Sequence, residues 1–147
     1  MIGDLELTLR EFRGRKEIYD PIRKKYLLFT PEEWVRQQVS QYLILEKDYP
    51  IGLISIEKVI NLFGLSRRYD IVAYDRNANP KLLIECKSPK ISLNDKVWIQ
   101  ASSYNKVLTA QWIAISNGYQ IECLNLNNNP NQEINFDFPH FDDIIKE

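Results

Sequence analysis

Two short apolar runs separated by a turn constrain this chain more than any other feature. Ile71, Val72 and Ala73 precede the turn-rich Arg76-Asn77-Ala78-Asn79-Pro80, and Leu82, Leu83 and Ile84 follow it. Side chains alternate across a strand, so consecutive apolar residues leave neither face polar. Strands of that kind lie inside a sheet covered on both sides, and the turn between them predicts an antiparallel hairpin over 68–75 and 81–87. If Tyr74 pairs with Lys81, Asp70 lies opposite Glu85 and Lys87 shares their face. Two acids and an amine then converge at the open end of a buried hairpin, where unpaired charge is costly.

The neighbouring elements fit around that hairpin. Thr30, Pro31 and Glu33 read as a helix start, with Thr30 as N-cap, Pro at the first position and Glu33 closing a capping box. Val35, Val39, Tyr42 and Leu43 recur at helical spacing toward Glu46. A strand is expected at 53–60. A second helix is expected at 94–108, with Val97, Ala101, Tyr104 and Leu108 on one face. Strands at 111–116 and 120–126 follow, parted by Asn117-Gly118. The order helix, three strands, helix, two strands gives a mixed α/β domain. A strand at 24–30 and an N-terminal strand around Leu5, Leu7 and Leu9 extend it. Residues 125–138 are rich in Asn and read as a loop. Trp34, Trp98 and Trp112 fit amphipathic patterns and are expected in the core. The length of 147 residues fits one domain over 1–147.

Composition then excludes several function classes. With 44% hydrophobic and 27% charged residues the chain is expected to fold. No apolar run reaches the ~18 residues of a membrane span, and no secretory signal opens it, so a soluble cytoplasmic location is expected. Cys86 and Cys123 form no zinc motif. The single histidine, His140, argues against a Ser-His-Asp triad and is expected at the surface. Neither a P-loop nor a GxGxxG pattern is present, so no nucleotide cofactor is expected. The formal charge is −1, yet residues 10–25 carry seven basic against three acidic side chains, and residues 119–147 one basic against six acidic. A basic end can follow a phosphate backbone or simply face solvent.

Divalent metal would meet the need of the acid pair. Mg²⁺ prefers hard oxygens, often one or two carboxylates plus water and substrate phosphate. Asp70 and Glu85 supply carboxylates, and the Cys86 backbone carbonyl a third oxygen. Lys87 could then stabilise charge developing on a phosphodiester. A cross-strand salt bridge of Lys87 with either acid explains the same residues, and spacing alone leaves both readings open.

The segment RYDIVAYDRNANPKLLIECKSP (68–89) resembles the Asp…Glu-x-Lys core of PD-(D/E)xK nucleases, with Tyr69 replacing the usual Pro. TPEEWVRQQ (30–38) and Gln100-x-x-x-Tyr104 make the chain similar to the N-terminal nuclease domain of type I restriction enzyme R subunits, over about residues 18–125. The resemblance implies a restriction-endonuclease-like α/β fold, a central mixed sheet flanked by helices, and a Mg²⁺-dependent endonuclease, with Mn²⁺ as substitute. It makes Asp70 and Glu85 metal ligands, Lys87 the catalytic lysine, and Glu33, or else Glu32, the helix acid. Gln100 and Tyr104 would position the site and the DNA strand. Arg36, Arg67, Arg68 and Lys90 are phosphate-contact candidates, with solvation or local pairing as the plain alternatives. DNA is the implied partner, with separate restriction-modification subunits, because the ATP-driven motor of such enzymes has no Walker motif here. A catalytically silent DNA-binding or assembly module with the same fold is the rival, and RNA or branched DNA is a further substrate option. Residues 1–17 and 126–147 carry no legible role.

Overall fold

The computed structural model describes residues 6–127 and 133–146. Its centre is a five-stranded mixed sheet. β7 (Ile71–Tyr74) and β8 (Pro80–Cys86) form the expected hairpin near its middle, and all of Ile71–Ala73 and Leu82–Cys86 are buried. β4 (Ile54–Ile56) closes one edge, antiparallel to β7. On the other side β9 (Trp112–Ser116) runs parallel to β8, and β10 (Ile121–Asn125) returns antiparallel. The tight return needs Gly118, which takes φ +89° and lies so close to the Trp34 ring that a Cβ would come within 3.1 Å of it.

Parallel strands need a crossover, and α2 (Asp95–Leu108) supplies it between β8 and β9. Alternation along β8 then assigns the two helices to opposite faces. Leu82, Ile84 and Cys86 pack with Val35, Val39 and Leu43 of α1 (Pro31–Glu46). Leu83 packs with Tyr104 of α2, and Ile113 and Ile115 of β9 pack with Val97 and Ala101. The result is the α/β architecture expected from sequence, a mixed sheet between helices. All three tryptophans pack, partly buried, against these clusters.

Three expectations change. The strand expected over 53–60 breaks at Glu57, which adopts φ +52°, and continues as β5 (Val59–Leu62) in a separate two-stranded ribbon with β6 (Leu65–Arg68). The ribbon interrupts what reads in sequence as one strand over 68–75. The hairpin register holds at Ile71↔Ile84, Val72↔Leu83 and Ala73↔Leu82, but a bulge places Tyr74 against Pro80 instead of Lys81. The N-terminal region forms three antiparallel strands, β1 (Leu9–Phe12), β2 (Arg15–Asp20) and β3 (Lys25–Leu28); Leu5 lies outside the described residues.

The C-terminal segment has a structural role that its composition hid. Phe138, Phe141 and Ile144 are buried in the α1-side core, and the Tyr49 hydroxyl donates to the Pro139 carbonyl at 2.8 Å. His140 is partly exposed, pairs with Asp48 at 2.7 Å and caps the short α3 (Phe141–Ile144). Among the described residues no helix is long and apolar enough to cross a membrane.

Candidate active site

The site is assembled from three chain ends that meet beside β8. The first is the start of α1. Thr30 Oγ1 accepts from the Glu33 N–H at 3.0 Å, which satisfies one free donor of the first turn. Glu33 does not return the bond to the Thr30 backbone, so the expected capping box is only half formed. Its carboxylate turns inward and accepts from Arg23 at 2.7 Å, Gln37 at 3.3 Å and Arg36 at 3.4 Å. Glu32 faces the rim instead, with its side chain 45% exposed and 3.3 Å from Arg36. Partial burial and then the charge of Asp70 push the Glu32 carboxyl up, while Arg36 and Lys87 pull it back. Glu32 therefore lies within electrostatic reach of both Asp70 and Lys87.

The second chain end is the entry to β7, and the third is the exit of β8. Asp70 is 6% exposed and Glu85 2% exposed. Asp70 Oδ2 accepts from the Cys86 N–H at 2.9 Å, and Oδ1 accepts from Arg36 at 2.9 Å. Glu85 Oε1 lies 3.5 Å from the Lys87 ammonium, but Oε2 is buried with no hydrogen-bond partner. Burial, followed by the neighbouring Asp70 charge, pushes the Glu85 carboxyl up to about 9, against the pull of Lys87. Burial also raises Asp70, opposed by the Cys86 N–H and Arg36. The Cys86 thiol is fully buried and held well above its ordinary range, which makes it an inert neighbour.

Lys87 is held from the opposite face of the sheet. Its ammonium donates to Gln100 Oε1 at 2.7 Å, and Gln100 Nε2 donates to the Tyr104 hydroxyl at 3.3 Å. Gln100 and Tyr104 are one turn apart on α2, so they share a face. Tyr104 is buried in the core and reaches the site only through Gln100. That corrects its expected place among nucleic-acid contacts.

Arg36 also departs from expectation. It is buried, and its guanidinium faces carboxylates, not solvent or phosphate. Arg23 and Glu57, which the sequence did not single out, complete this side. Arg23 bonds Asp20, Glu33 at 2.7 Å and Glu57 at 2.6 Å. Asp20 is fully buried and also accepts from the Ile22 N–H at 2.7 Å. In sequence Arg23 sits in a basic run, and nothing separates it from its surface neighbours. Arg67, Arg68 and Lys90 are exposed.

Among the described residues no three His, Cys, Asp or Glu side chains gather as a ready metal cage. Glu33 is not brought to the acid pair, because two arginines hold it. The donor set that does fit a hard cation is smaller: Asp70, Glu85 and the backbone between them at Cys86, with Glu32 at the rim. The orphaned Glu85 Oε2 is an acceptor that a cation would satisfy. A groove of about 620 Å³ between Trp98, Ile99, Leu124 and Ile134 lies apart from these acids.

Comparison with known proteins gives the following. Residues 31–139 match the family described as type I restriction enzyme R protein N terminus (HSDR_N). No curated protein sequence matches the chain. A fragment structure of a candidate HsdR subunit of a type I restriction enzyme from Vibrio vulnificus YJ016 superposes with a TM-score of 0.55 at 18% identity. That match covers 71% of this chain and 22% of the other, so the chain spans about a fifth of that relative. A candidate nuclease belonging to DUF820 from Anabaena variabilis ATCC 29413 superposes with a TM-score of 0.49 at 14% identity, covering 90% of this chain and 80% of that one. At such identities the likeness to the HsdR fragment speaks for the fold.

Proposed function

The chain belongs to the type I restriction enzyme R protein N-terminal family, and from that premise we propose that it is a divalent-metal-dependent endonuclease domain acting on DNA, folded as one unit over 1–147. The observation that carries this reading is the buried Asp70–Glu85 pair with an unsatisfied Oε2, beside a lysine that α2 holds in place. A buried carboxylate oxygen without a donor is costly, and a cation beside Glu85 Oε2 would satisfy it.

Asp70, Glu85 and the Cys86 carbonyl would hold Mg²⁺, or Mn²⁺ in its place. Bound there, the ion would polarise a phosphodiester and lower the pKa of a water. Lys87 supplies a fixed positive charge where negative charge develops on phosphate oxygens. Gln100 fixes the Lys87 ammonium through its 2.7 Å bond, and Tyr104 fixes Gln100. Glu32, half-exposed at the rim and within electrostatic reach of Asp70 and Lys87, is better disposed than Glu33 to orient a water near the ion. Glu33 serves the arginine network. Lys90 and the exposed arginines of β6 would meet the phosphate backbone. With no P-loop in the sequence, DNA translocation and sequence recognition would come from other restriction-modification subunits or domains.

Cleavage of supercoiled plasmid with Mg²⁺ or Mn²⁺ and no ATP tests the reading. Asp70→Ala and Lys87→Ala should each lower the rate by about a hundredfold or more. Equal activity in wild type and both variants would refute it. One observation favours the silent-module alternative: Arg36 already neutralises one Asp70 oxygen. Salt-sensitive DNA binding with no metal-dependent cleavage would support that alternative.

A further inference from the structure

We propose that the β5–β6 ribbon is a duplex-contact arm, with Lys58, Arg67 and Arg68 on phosphates and Phe63 reaching the base edges. The inference rests on the reading of the chain as a DNA-acting domain and names how it would hold its substrate.

The ribbon is continuous with the strands that carry the acid pair. The Glu57 N–H donates to the Asp70 carbonyl at 2.9 Å and the Tyr69 N–H to the Lys58 carbonyl at 3.3 Å, so the β4–β7 ladder runs on into β5–β6. Four residues per strand carry the arm about 13 Å past this junction. One face is anchored along the ribbon's length: Ile60, and Leu62 beside the turn, pack against the cluster of Tyr69 and Tyr104. Its remaining surface is open. Lys58, Asn61, Ser66, Arg67 and Arg68 are exposed, and the segment 58–68 contains three basic residues and no acid.

The tip exposes an aromatic on the same kind of turn that Arg13 and Gly14 make between β1 and β2. Phe63 and Gly64 both take positive φ, +51° and +81°, between the paired Leu62 and Leu65. That is the two-residue primed turn, which favours Asn-Gly and similar pairs. A phenylalanine there is a conformational outlier, and it is also 79% exposed. The Lys106 ammonium lies 5.8 Å from its ring centroid, which adds positive charge beside it. Folding gains little from an exposed aromatic in a disfavoured conformation, so its use lies in what it meets. A two-stranded β-ribbon fits the major groove of B-form DNA. A basic, acid-free ribbon has the matching charge, and Arg68 stands two residues from Asp70. A duplex gripped by the arm would therefore lie beside the acid pair.

The test is fluorescence anisotropy of a labelled 30-base-pair duplex with the full chain in EDTA, which separates binding from cleavage. Lys58→Ala/Arg67→Ala/Arg68→Ala should weaken binding at least about tenfold and reduce the salt slope by about 2–3. Phe63→Ser should weaken binding and leave that slope unchanged. Lys24→Ala/Lys25→Ala, exposed at the turn before β3 and at its first residue, should change little. The arm is refuted if wild type binds no duplex, if the triple variant binds like wild type, or if the Lys24→Ala/Lys25→Ala variant loses as much. Ribbon-dependent binding without metal-dependent cleavage would uphold the arm and remove the nuclease reading alone.

Discussion

The carboxylates on the α1 side and the carboxylate at the end of β8 are equally buried, but they are satisfied very differently. Asp20 and Glu33 use both oxygens, through Arg23, Arg36, Gln37 and backbone N–H groups. Glu85 has one weak contact to Lys87 and a second oxygen with none. In the first arrangement the protein itself gives every Asp20 and Glu33 carboxylate oxygen a donor, although Arg36 Nε and Gln37 Oε1 of the same network lack a partner. This network ties β2, α1 and the Glu57 corner together, which a fold with a small separate N-terminal sheet needs. The second is left to a retained proton shared with Asp70, or to a cation. Burial alone therefore does not separate these acids; the donors each one finds do.

Asp70 stands between the two regions, with one oxygen on Arg36 and the other on the Cys86 N–H. It is where the network could influence the site. Arg36 fixes the Asp70 carboxylate and also places a positive charge next to it.

Several substitutions would break or sharpen this contrast. The largest effect is expected from Arg23→Ala or Arg36→Ala, which strands buried carboxylates and should cost about 3–5 kcal/mol of stability; chemical denaturation measures it. A loss under 1 kcal/mol would mean that the network is ornamental. Glu85→Gln should act in the opposite direction on the metal-free protein and stabilise it by about 1–3 kcal/mol near neutral pH.

The pH dependence follows from the same carboxyl. Its folded titration point, about 9, lies above the ordinary 4.5, so the folded state binds the extra proton and stability falls as pH rises between these values. Below 4.5 the contribution vanishes, because the group is protonated in both states. The advantage of Glu85→Gln should accordingly be larger at pH 8 than at pH 5. Melting curves at the two pH values give the sign, and a larger advantage at pH 5 would contradict the assignment.

Glu32 and Glu33 offer a smaller and more selective comparison. Glu32→Gln should raise the Mn²⁺ concentration needed for cleavage several-fold and leave stability within about 0.5 kcal/mol. Glu33→Gln should do the reverse, lowering stability by about 1–3 kcal/mol. The smallest effect is expected from Thr30→Ala, which removes the α1 cap and should cost about 1 kcal/mol; calorimetric unfolding detects it.

The elements that place the acids were legible in sequence for identifiable reasons. Apolar residues on both faces around 71–73 and 82–84 announced a central hairpin, and the Thr30-Pro31 start announced α1. The convergence of Asp70, Glu85 and Lys87 followed from the register. The β5–β6 ribbon was not legible, because its start depends on Glu57 adopting a positive φ, a conformation that no local residue preference signals. The partners of Arg23 were hidden for another reason: Asp20, Glu33 and Glu57 meet only after three separate elements have packed. Glu33 fitted a capping motif so well that its inward turn could be seen only with Arg23 and Arg36 in place. The C-terminal Phe138, Phe141 and Ile144 were obscured by the polar Asn-rich segment that precedes them.

Titration of the metal-free protein with Mn²⁺ by calorimetry tests the central claim most directly. At pH 7.5 wild type should show a single site and release protons as the ion binds, because the carboxyls must ionise. Asp70→Asn and Glu85→Gln should each abolish the site. Absence of binding by wild type, or binding that survives both substitutions, would contradict the account.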